Sequence, residues 1–268
     1  MTNTYVHGYD SREAQRLHDQ AATLVDLLHM DTAFPAGSTV LEAGCGVGAQ
    51  TVTIAERSPG AQIIGIDLSE VSLREARQAV ETHGLANVTL LQGDILQLNF
   101  AAESFDHVFL CFVLEHLPRP MDALLTLKRV LKPGGTITVI EGDHGSTFFH
   151  PDSEEARNAI SCQVTLQAKA GGDALIGRRL YPLLRDAGYR DVRVSPRMVY
   201  ADATRPAMVD GFTRKTFTAM IEGVRQSALE HELQSGADFD KGIAALHRAS
   251  GNDGVFCYTF FKATAHLP

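Results

Sequence analysis

The sequence predicts an α/β protein built on a doubly wound, mostly parallel sheet, and three observations lead there. Short apolar, β-rich runs alternate with helical patterns through the first half of the chain, as strands do when helices cover both faces of their sheet. The glycine-rich run Val40-Leu41-Glu42-Ala43-Gly44-Cys45-Gly46-Val47-Gly48 sits where an apolar strand ends and a helix begins. An acid, Asp67, closes the next strand.

The elements follow in order. An aromatic leader, Tyr5-Val6-His7-Gly8-Tyr9, precedes a helical stretch over 11–28 with Ser11 placed to cap it. Strands are predicted at 39–43, 62–67, 88–92, 107–112 and 136–141, with helices at 49–57, 69–83 and 121–130 between them. Ser69 is a natural N-cap, and Gly84 stops that helix. The turn Lys132-Pro133-Gly134-Gly135 ends the third of these helices and sends the chain into the fifth strand. The second half reads as helices at 151–170, 175–187, 206–233 and 239–249, with strands at 191–200 and 255–263 and a hinge-like Gly171-Gly172 pair. No repeat or low-complexity tract interrupts it.

Composition bounds the function. With 268 residues, 44% of them hydrophobic and 21% charged, the chain is long enough for one elaborated domain with a single core. Its net charge of -8 argues against nucleic acid, whose phosphates call for a basic stripe, and favours a small-molecule substrate. Cys45, Cys111, Cys162 and Cys257 form no C-x-x-C pair, so the expectation is reduced thiols in a cytoplasm rather than a disulfide framework or a zinc site. No basic-then-apolar leader or membrane-length apolar run is present, so no membrane partner is expected.

Glycines at 44, 46 and 48 let a backbone loop approach a nucleoside closely, because they carry no side chain and tolerate positive φ. An acid at the end of the next strand accepts hydrogen bonds from a ribose diol in nucleotide-binding sheets. An adenosine-containing cofactor is therefore expected. The loop alone does not separate cofactors, since Gly44, Gly46 and Ala49 also satisfy G-x-G-x-x-A and would suit an NAD(P)-dependent oxidoreductase. Tyr258 and Lys262 match the Tyr-x-x-x-Lys pair of one dehydrogenase family, but in a strand they would lie about 13 Å apart. A non-catalytic cofactor-binding protein on the same sheet is a further alternative, because fold does not establish activity.

Further motifs carry a resemblance. The Glu-x-Gly-x-Gly-x-Gly loop at 42–48, Asp67, Gly93-Asp94-Ile95 after the third strand, Phe105-Asp106-His107-Val108 entering the fourth, Leu114-Glu115-His116-Leu117 and Leu131-Lys132-Pro133-Gly134-Gly135 stand in sequence. Together they resemble class I S-adenosylmethionine-dependent methyltransferases, on the branch similar to the ubiquinone and menaquinone biosynthesis enzymes. The resemblance covers about half of the chain, from Thr39 to Glu141. It implies a Rossmann-like, seven-stranded sheet with an antiparallel last strand, an N-terminal helix and helical lid insertions. The implied division is 1–34 as an N-terminal cap helix, 35–145 as the cofactor-binding core, and 146–268 as the remaining strands with substrate-lid helices, all one domain. The implied activity is methyl transfer from S-adenosylmethionine, with S-adenosylhomocysteine as product, to a secondary metabolite or quinone-like acceptor.

Position by position, the resemblance implies that Glu42 and the backbone of Gly44, Cys45, Gly46 and Gly48 hold the amino-acid end of the cofactor. Asp67 would take the ribose hydroxyls with Leu68 against the adenine, and Asp94, after Gly93, would accept from the adenine amine while Ile95 packs the ring. Cys111, Phe112 and Val113 would flank the methionine portion, with His116 nearby. A leading helix closes over the cofactor in related enzymes, which makes Tyr5, Tyr9 and Arg16 candidates for the mouth. A mobile first helix of that kind is also compatible with a homo-oligomer.

For the acceptor, His144 follows the fifth strand, where α/β sheets place ligands, and is the candidate base, with Tyr9 a second catalytic candidate. Tyr9, His144, Phe148, Tyr200 and Phe212 are the candidate substrate contacts. The absence of an Asn/Asp-Pro-Pro-Tyr motif after the fourth strand argues against a nucleobase or amide nitrogen as acceptor. Glu141, Asp143, His144 and His150 are too irregularly spaced to suggest a metal, and none is expected.

Overall fold

A computed structural model describes residues 11–268, with side chains at 16, 17 and 19–268. Seven strands form one sheet in the order β3-β2-β1-β4-β5-β7-β6. They are β1 (Thr39–Ala43), β2 (Gln62–Asp67), β3 (Val88–Gln92), β4 (Phe105–Cys111), β5 (Leu131–His150), β6 (Arg190–Ala201) and β7 (Val255–His266). The first five pair in parallel, and β7 runs antiparallel between β5 and β6. The strand order reverses beside β1, so the loops after β1 and β4 part there and leave a crevice at the carboxyl edge.

The central strands are apolar on both faces because helices cover both. Val40, Ile63, Phe109 and Ile140 feed one buried cluster, while their neighbours Leu41, Ile66, Val108 and Leu110 feed the other. The first cluster packs beneath α1 (Ser11–His29), α2 (Ala49–Arg57), α5 (Glu154–Lys169) and α10 (Gly236–Ala249). The second lies beneath α4 (Pro120–Val130) and α6 (Leu180–Asp186). Between β2 and β3 runs α3 (Glu70–Thr82), capped by the Ser69 hydroxyl, which accepts from the Ser72 amide at 3.2 Å. Among the described residues, no helix is long and apolar enough to cross a membrane.

Three stretches depart from the sequence expectation. The fifth strand begins at Leu131, yet its pairing with β4 jumps from Phe105↔Leu131 to His107↔Thr136, so the Pro133-Gly134 turn survives as an outward bulge. Gly134, at φ +76°, donates its amide to Leu267 O. The same strand continues past Glu141 to His150 because β7 supplies a partner along its whole length. Its register with β7 slips between Asp143 and Phe148, a second bulge.

The helix expected over 206–233 is instead α7 (Pro206–Met208), a π-helix (Val209–Thr218), α8 (Ala219–Gly223) and α9 (Arg225–Glu230). The hydroxyls of Thr216 and Thr218 donate to the carbonyls five residues back, Gly211 O and Thr213 O, each at 2.7 Å, and so favour the wider winding. At Gly211 the π-helix meets α1 so closely that any Cβ would overlap the Thr23 side chain. The expected helix at 175–187 opens with a 3₁₀ turn (Ile176–Arg179) before α6.

The C-terminal end of α1 is held by buried polar groups. Lys262 Nζ donates to Leu28 O at 3.3 Å, Asp31 Oδ1 at 2.6 Å and Thr32 Oγ1 at 2.5 Å, and Arg197 also pairs with Asp31. Beside them His29, 1% exposed, places Nε2 at 2.7 Å from Gln50 Oε1. Burial holds its pKa down at about 4. The unfolded ring takes a proton near its ordinary value of 6.5 while the folded ring refuses it until about 4. The contribution is therefore complete above 6.5 and lost as pH falls toward 4. Urea unfolding should show wild type losing up to about 3 kcal/mol more than His29→Gln across that window, and parallel losses in the two proteins would refute the assignment.

Candidate active site

A cavity of about 980 Å³ opens at the carboxyl edge of the sheet. Its floor is the glycine loop. Gly44 and Gly46 take φ of +81° and +53°, conformations that favour glycine. A Cβ at Gly44 would come within 2.6 Å of Val113 Cγ2, whereas one at Gly46 would meet no protein atom within 4 Å. The loop is tied to β2 by backbone and side chain. Gly44 N and Cys45 N donate to Ile66 O, and Gly46 N donates to Asp67 Oδ2 at 2.9 Å. Ser69 N donates to the other oxygen, Oδ1, at 2.8 Å. Asp67 thus fixes the loop and the start of α3 together while remaining on the cavity wall.

Three acids lie at this edge under low solvation. Burial raises the pKa of Asp67 against the amides that bond it. Glu42, enclosed behind the loop and not on the cavity wall, is pushed up to about 8 by burial, and its Oε2 has no hydrogen-bond partner among the described residues. Glu141, also fully buried, is raised by desolvation and by nearby Glu115, and its Oε1 accepts Val113 N at 3.0 Å and Leu114 N at 2.7 Å. Those two bonds hold the turn after β4, where Phe112 adopts φ +59°, an uncommon conformation for a bulky side chain.

Most of the sequence-derived cofactor candidates share the cavity. Arg16, Gly44, Cys45, Gly46, Asp67, Leu68, Gly93, Asp94, Ile95, Cys111, Phe112, Val113 and His116 all line it. Glu42 and Gly48 do not reach its surface. Asp94 Oδ1 accepts Leu96 N at 2.8 Å in the turn after β3, which leaves the second carboxylate oxygen for other use. Leu68 is 63% exposed, an apolar side chain unburied at the rim. Tyr5 and Tyr9 lie outside the described residues.

Of the acceptor candidates, His144 and Phe212 line the cavity. Phe148 and Tyr200 do not. They stand on the outer antiparallel part of the sheet, where Phe148 and Tyr200 flank the β7 residue Cys257 as pairing partners on β5 and β6, away from the crevice. Phe217, a further aromatic that the sequence offered for this pocket, does line it, and the structure adds Met220, Tyr258 and Phe260 to the wall, together with Glu115, Gln167 and Gly172. Gln167 Nε2 donates to Glu115 O at 3.0 Å and to Glu115 Oε2 at 3.2 Å, tying the end of α5 to the turn after β4. Tyr258 and Lys262 part company as their strand spacing implied, Tyr258 at the cavity and Lys262 at the end of α1. No dehydrogenase pair is formed.

The β5 bulge sets His144. The Asp143 carboxylate receives Arg178 Nε at 2.7 Å and Nη2 at 2.8 Å, and His144 N donates to Ala174 O at 3.0 Å. Its ring meets the Tyr258 hydroxyl at 2.9 Å through Nδ1 and lies edge-on to Tyr258 and tilted against Phe217. Burial lowers its pKa, so the ring is neutral at physiological pH.

Comparison with known proteins is consistent with this crevice. A family model described as a methyltransferase domain matches residues 35–188, more than half of the chain. An uncharacterized 37.1 kDa protein in transposon TN4556 of Streptomyces fradiae is 36% identical over 190 residues, 70% of this chain and 54% of that protein. Demethylmenaquinone methyltransferase of Geobacillus stearothermophilus is 36% identical over 113 residues, 42% of this chain and 48% of the enzyme. The chain thus spans about half the length of these curated relatives. Among solved structures, phosphoethanolamine N-methyltransferase 2 of Haemonchus contortus, in complex with S-adenosyl-L-methionine, superposes with a TM-score of 0.56 at 18% identity. That match takes in 93% of this chain and 52% of the enzyme, and it shows a shared fold.

The buried Glu42 carries a measurable consequence. Its folded pKa of about 8 exceeds the ordinary 4.5, so between these values the unfolded chain ionises while the folded one stays protonated, and stability falls as pH rises through the window. Glu42→Gln removes that ionisation. Chemical denaturation should find the variant gaining on wild type from pH 5 to pH 8 by an amount on the order of 4 kcal/mol, and a constant gap would show that the carboxyl is already ionised in the fold.

Proposed function

We propose that this chain, which belongs to the methyltransferase-domain family, transfers a methyl group from S-adenosylmethionine to a small-molecule acceptor by in-line displacement. The observation that carries the reading is the Asp67 carboxylate, which holds the glycine loop open over a cavity and still faces it. S-adenosylmethionine supplies a methyl group on a positively charged sulfur, which needs no strong acid to activate it.

The residues present fit such a donor. Gly46 leaves open space where a side chain would stand, and Asp67 suits a ribose diol. Glu42, protonated in the fold and with an unpartnered buried oxygen, lies behind the loop as a polar group on the side of the amino-acid end. Leu68 and Ile95 offer apolar faces to a purine, with the second oxygen of Asp94 for its amine. Cys111, Phe112, Val113, His116 and Arg16 also line the cavity, where the first four would flank the methionine portion and Arg16 would stand at the mouth. In the division we favour, 35–145 holds the cofactor, 1–34 caps it, and the helices of 146–268 cover the acceptor within the same domain.

The acceptor end is largely aromatic. Phe212, Phe217, Tyr258 and Phe260 line it around His144, which suits a planar molecule. The relation to demethylmenaquinone methyltransferase favours a quinone-like ring or a secondary metabolite of similar shape. In displacement at a sulfonium, charge disperses as the nucleophile attacks, so the walls act mainly by aligning reactants and excluding water, a contribution that reaches about 7 to 11 kcal/mol in ideal cases. Four buried free thiols and a net charge of -8 support a reduced, cytoplasmic setting and a partner other than nucleic acid.

Calorimetry with S-adenosylmethionine and S-adenosylhomocysteine tests the reading directly. Both should bind wild type, and Asp67→Ala and Gly46→Val should each weaken binding at least about a hundredfold while circular dichroism remains native. No heat with wild type, or unchanged affinity in both variants, would remove the proposal.

A further inference from the structure

His144 and Tyr258 reach the same cavity from different strands, and their contact is more specific than a packing neighbourhood. The Tyr258 hydroxyl lies 2.9 Å from His144 Nδ1, and both residues are buried, at 2% and 6% exposure. A Cβ at Gly142 would overlap that hydroxyl, so glycine there makes room for the contact. His144 Nε2 is buried and has no hydrogen-bond partner among the described residues.

The hydroxyl proton decides which ring nitrogen carries hydrogen. Among the described residues, Nδ1 is the one acceptor within hydrogen-bond distance of the Tyr258 oxygen. A buried hydroxyl that finds no acceptor bears its full desolvation cost, so Tyr258 donates and Nδ1 accepts. A neutral imidazole that accepts at one nitrogen holds its hydrogen on the other. The alternative, a ring that donates from Nδ1 and offers a bare Nε2 as base, would strand the tyrosine proton.

We infer that Tyr258 fixes His144 as a hydrogen-bond donor through Nε2–H, and that the acceptor substrate places a carbonyl, enolate or phenolate oxygen there. His144 then orients an oxygen beside the attacking atom and does not remove a proton. This ligand assignment rests on the methyltransferase reading, whereas the tautomer does not. The surrounding geometry suits a fixed donor: Asp143 is clamped by Arg178, and Thr147 Oγ1 donates to His144 O at 2.9 Å, so the bulge holds the ring where Tyr258 meets it.

Nitrogen-15 correlation spectra of the imidazole rings, with His144 assigned through bonds from its backbone, read the tautomer without any ligand. At about pH 7.5, wild type should show the hydrogen on Nε2, favoured at least about tenfold, and Tyr258→Phe should erode that preference. Hydrogen on Nδ1 in wild type overturns the inference, whether or not the variant folds. Acetophenone, a planar ring with one carbonyl oxygen, should move the Nε2–H signal of the protein, free or loaded with S-adenosylhomocysteine, and ethylbenzene should not. Equal responses, or none, overturn the ligand assignment. Failure to bind S-adenosylmethionine by calorimetry would instead sink the methyltransferase reading while leaving the tautomer standing.

Discussion

Desolvated carboxyl groups at one edge of the sheet set the character of this molecule. Asp67 accepts backbone amides on both oxygens, from Gly46 and Ser69, and Glu141 accepts two on its Oε1, from Val113 and Leu114, all in loops that line the crevice. Both loops turn through positive φ, at Gly46, where glycine suits it, and at Phe112, where a bulky side chain takes it only because the loop is held. Removing solvent from such acids raises their affinity for protons.

The two ends of the crevice are built differently. The end we propose for the cofactor is backbone and short side chains on parallel strands, positioned by local turns. The end we propose for the acceptor is assembled from distant pieces: a bulge in β5, the π-helix, the end of α5 and the middle of β7. Loop 44–48 has little freedom to vary, since Gly44 abuts Val113 and Gly48 abuts Ala76. The aromatic lining has more, because Phe212, Phe217, Tyr258 and Phe260 pack against one another and exchange of one ring for another of similar volume is tolerated in such clusters.

This difference explains what could be read from the chain before its fold was in hand. β1, β2, β3 and α2 begin and end where the periodicity and the punctuating Gly, Ser and Pro residues place them, because those signals are local. Thirteen of the sixteen cofactor candidates that the resemblance implied share one cavity, and all of these but Arg16, on α1, lie in the loops and turns that follow β1 to β4 or at those strands' ends. The acceptor end resisted. Nothing near Tyr258 in sequence announces that it meets His144, 114 residues away, and the pairing of β5 with β7 that brings them together is a long-range event. Phe148 and Tyr200 look like pocket aromatics in isolation, yet the extension of β5 and β6 along β7 carries them outward. The π-helix was hidden because helical periodicity in so short a segment does not distinguish hydrogen bonds spaced four residues apart from bonds spaced five, and the threonine hydroxyls that stabilise it bond the backbone alone.

That wider winding places Phe212, Thr216 and Phe217 on one wall, an arrangement in which two consecutive residues share a face with one a turn earlier. An ordinary α-helix would swing one of them aside by about 100°. Deleting a single amino acid within 209–218 would let the segment relax to the tighter coil and rotate everything beyond it, α8 included. A lineage could thereby reshape that wall of the cavity in one genetic step, while the glycine loop passes unaltered.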